Sequence, residues 1–577
     1  MRFWYLEDHA RLAAEREDLE RLQHKSIYVQ SIEWVLIDGQ LAFKAAIRVN
    51  GRDYPLEFIY PNLFPHVPPI VRPQDKIVLG SGHQYLNGTL CLEWGPDNWR
   101  PSVTGVQVLE SAIRLLRAEI PTGNVYVESV PSRHRLTLGQ ELRTSKWRLY
   151  VSVQMLLNLV RLPHTTLARI KYSLIKRPDS ALAVIDEIAA MRDGITAWTS
   201  EVLPKSVCTE SGEGFLIKAD IASEVLKNIS DTISLQRVLE AFGINMKSAM
   251  GSRPAVFILT DAVQYLRAFY VDTVSGQSKL YCLANLISPA DASERRLPTE
   301  LDSLVNVSVG IVGLGSMGSK IALSLARSGV RQFTLVDDDV FLPENICRHA
   351  LDFRDVGSHK VDSIKNALLR LGHGFNFRTY RANITEQEST SYLAEILDRL
   401  GNCDLLIDAT ASPRVFNLLS HVSTYCSKPM VWSEVFAGGI GGLIGRSRPG
   451  IDPDPQTMRL VFLGYVDEQS ESVPSGEVND YTAQFNNEVL SASDADVTAI
   501  ASHTTRLILD TLADATCSQF PQSMYLVGLR SEWLFGAPFH TIPIETDQFV
   551  SDQVPAAMSE EALRDLDAFL KAVISRS

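Results

Sequence analysis

Cysteine is scarce in this sequence, and so are long apolar runs and clusters of basic residues. The 577 residues include only seven cysteines, none of them in a C-x-x-C pair, so neither a disulfide framework nor a zinc site is predicted. No run of 18 or more apolar residues occurs, and no transmembrane helix is therefore predicted. The formal net charge of −13 argues against nucleic acid as the main partner, because phosphate binding needs clustered Lys and Arg.

The amino-terminal residues do not have the pattern of a signal peptide. Charged residues such as Arg2, Glu7 and Arg11 interrupt the apolar ones, whereas a signal peptide needs a continuous apolar segment. We therefore expect a cytoplasmic protein with free thiols. The length suggests about three domains.

The first domain, predicted over residues 1–145, has an α+β pattern. Residues 8–25 have helical periodicity, and two turn signals, Asp38-Gly39 and Asn50-Gly51, separate runs of alternating apolar and polar residues. This pattern predicts a strand meander. The proline-rich "FPHVPPIVRP" then requires an extended loop, and residues 103–120 are predicted to form another helix.

The middle region, residues 146–300, is harder to interpret. Helices are predicted over 150–162 and 177–193, and "AVFILTDAV" and "KLYCLANLI" are predicted to be strands. We expect a mixed α/β region and assign it no chemistry.

The third domain, predicted over residues 301–577, opens on a strand, a glycine turn, a helix and a second strand that ends in Asp337. The turn has the form G-x-G-x-x-G in "VSVGIVGLGSMGSK". In this context Gly313 and Gly315 let the backbone approach a phosphate, Gly318 lets the helix pack on the strand, and Asp337 can accept hydrogen bonds from ribose. The pattern favours a nucleotide-binding, Rossmann-like α/β domain over a purely structural turn.

The residues that follow indicate which nucleotide it is. "DDDVFLPENICRHALDFRDVGSHK" supplies Asn345, Arg348 and Lys360 beyond the second strand. Here the sequence resembles the adenylating enzymes of the ubiquitin-activating (E1), ThiF and MoeB superfamily. The resemblance implies that these three residues hold the triphosphate of ATP and that Asp337 and Asp339 correspond to the acidic pair of the family. Positive groups would stabilise the charge that develops as pyrophosphate leaves.

One position departs from that family. Where the family commonly has D-x-x-D-N, this chain has Asp408-Ala409-Thr410-Ala411-Ser412. Ala411 cannot bind a metal, so Asp408 or Asp339 would have to hold Mg²⁺.

A second resemblance lies in the first domain. In "HQYLNGTLCLEW" and "NWRP", Trp99 lies eight residues after Cys91, and Pro101 lies ten residues after Cys91. Residues 26–117 thereby resemble a ubiquitin-conjugating (E2) fold, which implies that Cys91 carries an acyl group as a thioester. The family's His-Pro-Asn motif is absent, and His83 stands at the Asn position. His83 is predicted either to donate to the developing oxyanion or to form a structural hydrogen bond. The alternative for Cys91 is a small buried residue.

The activating half should also carry a thiol, and Cys517 is the best candidate, although a core role is at least as consistent with its sequence context. Direct transfer to Cys91, or the use of a serine near residues 464–475, stays open.

Both modules in one chain resemble the fused E2-E1 proteins of bacterial CBASS antiphage systems. The resemblance implies an ATP-dependent transferase that joins the carboxyl terminus of a carrier protein to a target lysine. The carrier would be a cyclic-nucleotide synthase or a ubiquitin-like protein, with a glycine-type carboxylate. It also implies a homodimer. Two alternatives remain: an adenylyltransferase for a sulfur carrier, and a nucleotide-binding scaffold whose E2-like module is inert.

Overall fold

The chain folds into two compact units, Met1–Thr144 and Ser145–Ser577. The computed structural model describes residues 3–74, 83–85, 87–119, 138–143, 145–163, 165–190, 196–200, 203–251, 253–261, 265–274, 277–288, 297–386, 388–469, 482–485, 488–513 and 518–546. Among these residues, no helix is both long enough and apolar enough to span a membrane.

The first unit is an antiparallel sheet covered by helices. Its elements in chain order are α1 (Trp4–Glu7), α2 (His9–Lys25), β1 (Val29–Ile37), β2 (Gln40–Val49), β3 (Arg52–Ile59), β4 (Ile70–Pro73), α3 (Gly105–Glu119) and α4 (Leu138–Glu141). The sheet order is β1-β2-β3-β4. Asp38 and Gly39, and likewise Asn50 and Gly51, have positive φ, as a type I′ hairpin requires. The meander predicted from these dipeptides is confirmed.

One apolar core holds this unit together. It includes Leu19 from α2, Phe43 and Phe58 from the sheet, and Leu109 and Leu116 from α3, all almost fully buried. Helix α2 begins at Asp8, whose side chain accepts the N–H of Arg11, the usual way to satisfy an amide of the first helical turn.

The second unit begins with a sheet of eight strands and four short helices. These elements are β5 (Trp147–Val151), α5 (Val153–Arg161), β6 (Thr166–Lys176), β7 (Ala181–Ala190), β8 (Thr196–Thr199), β9 (Glu210–Lys218), α6 (Ser223–Lys227), α7 (Thr232–Glu240), α8 (Met246–Met250), β10 (Ala255–Thr260), β11 (Leu266–Val274) and β12 (Gln277–Ile287). The order is β5-β12-β11-β10-β9-β6-β7-β8, and β5 also pairs with β7. Seven strands therefore close into a barrel.

The barrel has separate cores on its two sides. One contains Leu149, Ile170 and Ile258, and the other contains Phe257 and Phe269 packed against residues of the helices. Successive residues of a strand face opposite sides of a sheet, which is why Phe257 and Ile258 belong to different cores.

The helix predicted over residues 177–193 is wrong. Residues 181–190 form strand β7, which pairs with β6 on one side and β5 on the other. Ala, Leu and Glu favour helices locally, but the segment buries Ala183, Ile185 and Ile188 between two neighbouring strands. Tertiary pairing overrides such local preference. The predicted helix over 150–162 is confirmed as α5.

The remainder of the second unit is built on a second eight-stranded sheet. Its elements are β13 (Ser308–Val312), α9 (Ser316–Arg327), β14 (Gln332–Val336), α10 (Lys360–Leu369), β15 (Asn376–Tyr380), α11 (Thr390–Gly401), β16 (Leu405–Asp408), α12 (Pro413–Cys426), β17 (Met430–Val435), β18 (Gly441–Ser447), α13 (Pro455–Glu468), β19 (Thr482–Phe485), β20 (Glu488–Ser491), α14 (Asp494–Leu512), β21 (Met524–Gly528) and β22 (Thr541–Ile544). Strands β19 and β20 form a separate pair.

The order of the large sheet is β15-β14-β13-β16-β17-β18-β21-β22. The first five strands are parallel and the last three antiparallel. The direction of strand succession reverses between β13 and β16, and ligands of open α/β sheets bind outside the carboxyl ends of the strands at such a point. Helices cover both faces over two separate cores. The predicted Rossmann-like architecture is confirmed.

Candidate functional site

The glycine turn joins β13 to α9 at the point where strand order reverses. Gly313 has φ +85°, and a Cβ there would lie 2.7 Å from Cγ2 of Thr410. A Cβ on Gly318 would lie 1.9 Å from the carbonyl oxygen of Gly313. A side chain at Gly313 would therefore push the turn away from Thr410, and a side chain at Gly318 would push α9 away from the turn. Gly315 has open space around it and is the N-cap residue of α9.

A cavity of about 320 Å³ lies above this turn. It is lined by Val312, Gly313, Gly315, Ser316, Val336, Asp337, Asp338, Asp339, Asn345, His349, Lys360, Ala382, Asn383, Ile384, Thr385, Ala409, Thr410, Ser412 and Val415. The structure thus brings together six of the nine residues predicted to bind the nucleotide. Gly318, Arg348 and Asp408 are not among the lining residues.

The carboxylate of Asp337 shapes the turn directly. Its Oδ2 accepts the N–H of Leu314 at 2.6 Å and its Oδ1 accepts the N–H of Asp339 at 2.9 Å. Burial raises the pKa of Asp337, while these two N–H donors and the charge of Lys360 oppose the shift. Each carboxylate oxygen retains a lone pair, so Asp337 can still accept from a ligand hydroxyl.

Lys360 supplies positive charge to the cavity. Its Nζ lies 2.7 Å from Oδ2 of Asp339, and its backbone N–H donates to the Asp339 carbonyl oxygen. The ammonium is nearly buried, whereas the side chain of Asp339 is 66% exposed. A polyphosphate entering the cavity would therefore meet a cation that is held in place by an exposed carboxylate.

Asn345 and Arg348 lie in the segment after β14, with different roles in the structure. Asn345 lines the cavity, and its Oδ1 accepts the N–H of Leu342 at 2.9 Å. The Nη1 of Arg348 donates to the carbonyl oxygen of Ala492 at 3.3 Å, and the Arg348 carbonyl accepts from Nζ of Lys320. One nitrogen of the guanidinium thus contacts Ala492, two residues before α14 begins.

Asp408, the predicted metal ligand, is buried under the turn that follows β16. Its Oδ1 accepts both the N–H and the hydroxyl of Thr410, at 3.0 and 2.7 Å. Burial raises the pKa of Asp408 to about 6. Ala411, at the position of the family's second Asp, has φ +55°. Asp408 therefore supports Thr410 in the cavity wall and does not itself reach the cavity.

His349 was missed by the sequence analysis. It is 7% exposed, lines the cavity, and its Nε2 lies 2.8 Å from the carbonyl oxygen of Leu314 in the glycine turn. Only its position directly after Arg348 could have suggested a role. No spacing rule connects a histidine there with a carbonyl 35 residues earlier in the chain.

The first unit contains a second cavity, of about 660 Å³, around Cys91. It is lined by Pro61, Val67, Pro68, Pro69, Ile70, Val71, Tyr85, Asn87, Thr89, Leu90, Cys91, Leu92, Glu93, Trp94, Gly95, Pro96 and Asp97. The thiol is free and half-buried. Cys91 is therefore not the buried core residue of the alternative interpretation.

The Asn87-Gly88 turn sets the position of Cys91. The Gly88 N–H donates to Tyr85, the Tyr85 N–H donates to Thr89, and the Cys91 N–H donates to the His83 carbonyl at 2.7 Å. The chain thus doubles back over residues 83–91. On the other side, Nε1 of Trp99 donates to the carbonyl oxygen of Pro65 at 2.7 Å. Trp99 therefore connects the segment after Cys91 to the proline-rich loop.

Tyr85 lies beside the thiol. The His83 side chain is buried and is not among the cavity-lining residues. The Tyr85 hydroxyl hydrogen-bonds the Cys91 side chain, and burial together with this contact raises the pKa of Tyr85 to about 12. The phenol thus stays protonated and can donate to sulfur.

The other cysteines are spread through the second unit. Cys517 lies outside the described residues. Cys347 is exposed within the segment that carries Asn345, Cys403 is buried, and Cys426 is half-buried. Burial raises the pKa of Cys403, which disfavours its thiolate.

Residues 290–515 match the sequence profile of the ThiF family. The chain is 30% identical over 147 residues to "ATP-dependent ubiquitin transferase-like protein Cap2" of Pseudomonas aeruginosa, which covers 25% of each protein. It is 29% identical over 129 residues to "Adenylyltransferase and sulfurtransferase UBA4" of Scheffersomyces stipitis, which covers 22% of this chain and 28% of that protein. The chain spans about a quarter of the length of these curated relatives.

Among solved structures, E. coli MccB with ATP is similar at 17% identity and a TM-score of 0.33. The match covers 43% of this chain and 67% of MccB. The matched residues 290–515 include the glycine turn, Lys360 and strands β13 to β18 of the large sheet.

Proposed function

We propose that this protein is an ATP-dependent transferase that activates the carboxyl terminus of a carrier protein and passes it through Cys91 to an amine. The observation that carries the proposal is the cavity at the strand-order reversal, where the glycine turn, Asp337 and Lys360 converge within the ThiF-type region. The second observation is that the same chain holds a free, half-buried thiol in an apolar cavity.

Activation would take place in the cavity of the second unit. A carboxylate of the carrier attacks the α-phosphorus of ATP, the bond to the β-phosphate breaks, and pyrophosphate leaves with its electron pair. Lys360 stabilises the charge that develops on the phosphates, and the first amides of α9 face the same anion. Arg348 would join them on turning from Ala492.

Magnesium would accompany ATP, and the residues fit it. Asp337, Asp338 and Asp339 line the cavity, and Mg²⁺ is usually held by one or two carboxylates together with phosphate oxygens. Asp339 is the ligand we propose, because its carboxylate is exposed and Asp408 is turned to Thr410. The ion would neutralise phosphate charge.

Transfer would use the first unit. The Cys91 sulfur attacks the activated carbonyl, AMP leaves, and a thioester forms. An amine of the target then attacks the thioester, an amide forms, and the Cys91 thiolate leaves. Cys517 is the candidate for a second thiol that would carry the acyl group between these steps. We propose that this activity is cytoplasmic and that the protein is a homodimer formed through its adenylation domain. We further propose that it acts in antiphage defence.

The test is to purify the full-length Cys91→Ser variant from its native host and search for an adduct by mass spectrometry. An oxyester on the introduced hydroxyl outlasts a thioester, so an ATP-dependent mass increase would confirm the transfer and identify the carrier. Cys282→Ser, at an exposed thiol of the second unit, is the control and should carry no adduct. An unmodified hydroxyl alongside intact ATP–pyrophosphate exchange would contradict transfer through Cys91.

A second candidate function is adenylation of a sulfur carrier, favoured by the similarity to UBA4. Under that function Cys91→Ala leaves product formation intact, whereas transfer through Cys91 requires that it be abolished. If carrier-dependent pyrophosphate exchange is absent altogether, both enzymatic functions fail and the nucleotide-binding scaffold stands.

A further inference from the structure

Two side chains hydrogen-bond the backbone of Leu314, one at its N–H and the other at its carbonyl oxygen. Its N–H donates to Oδ2 of Asp337 at 2.6 Å, and its carbonyl oxygen lies 2.8 Å from Nε2 of His349. A loop that binds phosphate must direct N–H groups at the ligand and turn its carbonyl oxygens away, because both oxygens are negative. His349 holds one carbonyl oxygen of this turn, that of Leu314.

Because the peptide bond is planar, a hydrogen bond that orients the Leu314 carbonyl also orients the N–H of the next residue, Gly315. In a trans peptide the C=O of Leu314 and the N–H of Gly315 point in opposite directions. A donor that fixes the carbonyl therefore fixes the amide as well. Gly315 lines the cavity and begins α9, whose first amides have no acceptor within the helix.

The hydrogen bonds of His349 define its protonation. The Leu351 N–H donates to Nδ1 at 3.1 Å, so Nδ1 carries no proton and the neutral ring carries one on Nε2. Burial lowers the pKa of His349 to about 4, and the charges of Lys360 and Lys320 act in the same direction. At neutral pH the ring is thus an uncharged donor to Leu314.

Neighbouring contacts hold the ring in place. The Phe341 ring packs against it with centroids 4.8 Å apart. The Arg348 carbonyl accepts from Nζ of Lys320 at 2.6 Å, and the Ala350 N–H donates to Oγ of Ser319 at 3.3 Å. Because Lys320 and Ser319 belong to α9, the residues on both sides of His349 are attached to the helix that the glycine turn begins.

We propose that His349 is a positioning residue of the nucleotide site: by donating to the Leu314 carbonyl, it directs the Gly315 amide at the phosphates of ATP. The inference rests on the proposed function, since it requires that ATP bind in this cavity. It adds a residue that belongs neither to the glycine pattern nor to the set of Asn345, Arg348 and Lys360.

The test compares three substitutions in the full-length protein by calorimetric titration with Mg·ATP. His349→Leu removes the donor and excludes water, so the Kd for ATP should rise about tenfold or more. His349→Ala leaves room for a water that can donate to Leu314, so the rise should be smaller. His349→Gln restores a donor, and its Kd should lie within about threefold of wild type.

The order of the three variants separates positioning from packing. A residue that only fills space would tolerate Leu better than Ala, because Leu leaves the smaller cavity. If His349 positions the Gly315 amide, the Kd for ATP should instead be higher in His349→Leu than in His349→Ala. Calorimetry also reports stoichiometry: partial unfolding lowers the number of sites and leaves their Kd unchanged, whereas positioning keeps the number and raises the Kd. His373→Gln, at an exposed histidine of the same unit, is the control and should bind as wild type does.

Equal Kd values for wild type and His349→Leu, or a larger loss in Ala than in Leu, would overturn the inference and leave the proposed function standing. If the wild-type protein itself does not bind ATP, the proposed function fails and the inference fails with it.

Discussion

Glu15 accepts the backbone N–H of Gly105 at 2.7 Å across 90 residues of chain. Glu15 is fully buried and also accepts from the Tyr60 hydroxyl at 2.8 Å and from Nε of Arg11 at 2.9 Å. Arg11 in turn donates to the carbonyl oxygens of Pro101 and Val103. The amino-terminal helix α2 thus fixes the segment that follows the Cys91 motif.

Replacing Glu15 should therefore destabilise the first unit. Glu15→Ala leaves two buried donors and one partly buried donor without their acceptor, and we expect a loss of about 3 kcal/mol in the free energy of unfolding. Urea unfolding followed by tryptophan fluorescence measures it. Glu20→Ala removes an exposed carboxylate of the same helix, paired with Arg16, and should change stability by less than about 1 kcal/mol. Similar losses in both variants would contradict a structural role for the Glu15 network.

Tyr85→Phe should slow transfer from Cys91 without preventing thioester formation. The phenol hydrogen-bonds the thiol, so it can donate to the sulfur that leaves as the amine attacks. We expect discharge of the thioester to lysine to fall about tenfold, measured by single-turnover decay on non-reducing gels. Tyr5→Phe removes a hydroxyl that donates to Gly39 and is the control. Unchanged discharge would show that Tyr85 only fills the cavity wall.

Lys360→Gln should abolish most of the adenylation. The ammonium is the buried cation of the cavity, and its loss removes charge stabilisation in the transition state, which is worth about 100-fold in rate. ATP–pyrophosphate exchange measures this step alone. Lys365→Gln, on the same helix and outside the cavity lining, should exchange at the wild-type rate. A Lys360→Gln variant with full exchange would remove this cavity as the site of activation.

Asp408→Asn should change how the stability of the second unit depends on pH. Burial raises the pKa of Asp408 to about 6, above its unfolded value of about 3.9. The folded state therefore binds the extra proton, and this contribution to stability is present at low pH and lost as the pH rises through about 6. The neutral Asn variant should be the more stable protein at pH 8, by about 3 kcal/mol, and should lose most of this advantage at pH 4, close to the unfolded pKa.

Denaturant unfolding at these two pH values checks the Asp408 prediction. Asp404→Asn, at an exposed carboxylate of the same sheet, controls for the general effect of removing a negative charge. An advantage of Asp408→Asn that does not vary with pH would contradict the assignment.

The sequence predicted those features that depend on neighbours in the chain. The glycine turn, α9 and β14 follow from local periodicity and from backbone geometry that only glycine adopts easily, and the hairpins follow from Asp38-Gly39 and Asn50-Gly51. The position of Lys360 in the cavity followed from a family pattern. These features need few long-range contacts to be defined.

The features that sequence reasoning missed depend on distant partners. Residues 181–190 have a helical composition, and only pairing with β5 and β6 makes them a strand. The hydrogen bond of His349 is with Leu314, 35 residues earlier, which only the fold brings near. Arg348 donates a hydrogen bond to Ala492, 144 residues later. Spacing rules carry no information about such contacts.

The pairing of β5 with both β7 and β12 sets an order of events during synthesis. Strand β5 emerges from the ribosome early in the second unit, and β7 follows it closely, but β12 ends at Ile287. Until that residue has emerged, the barrel is open between β5 and β11, and both of these strands have unpaired amide and carbonyl groups. Contacts so far apart in sequence form slowly, and an unpaired strand edge is prone to aggregation. A translational pause before residue 287 has emerged would prolong this exposed state, and a pause after it has emerged would not.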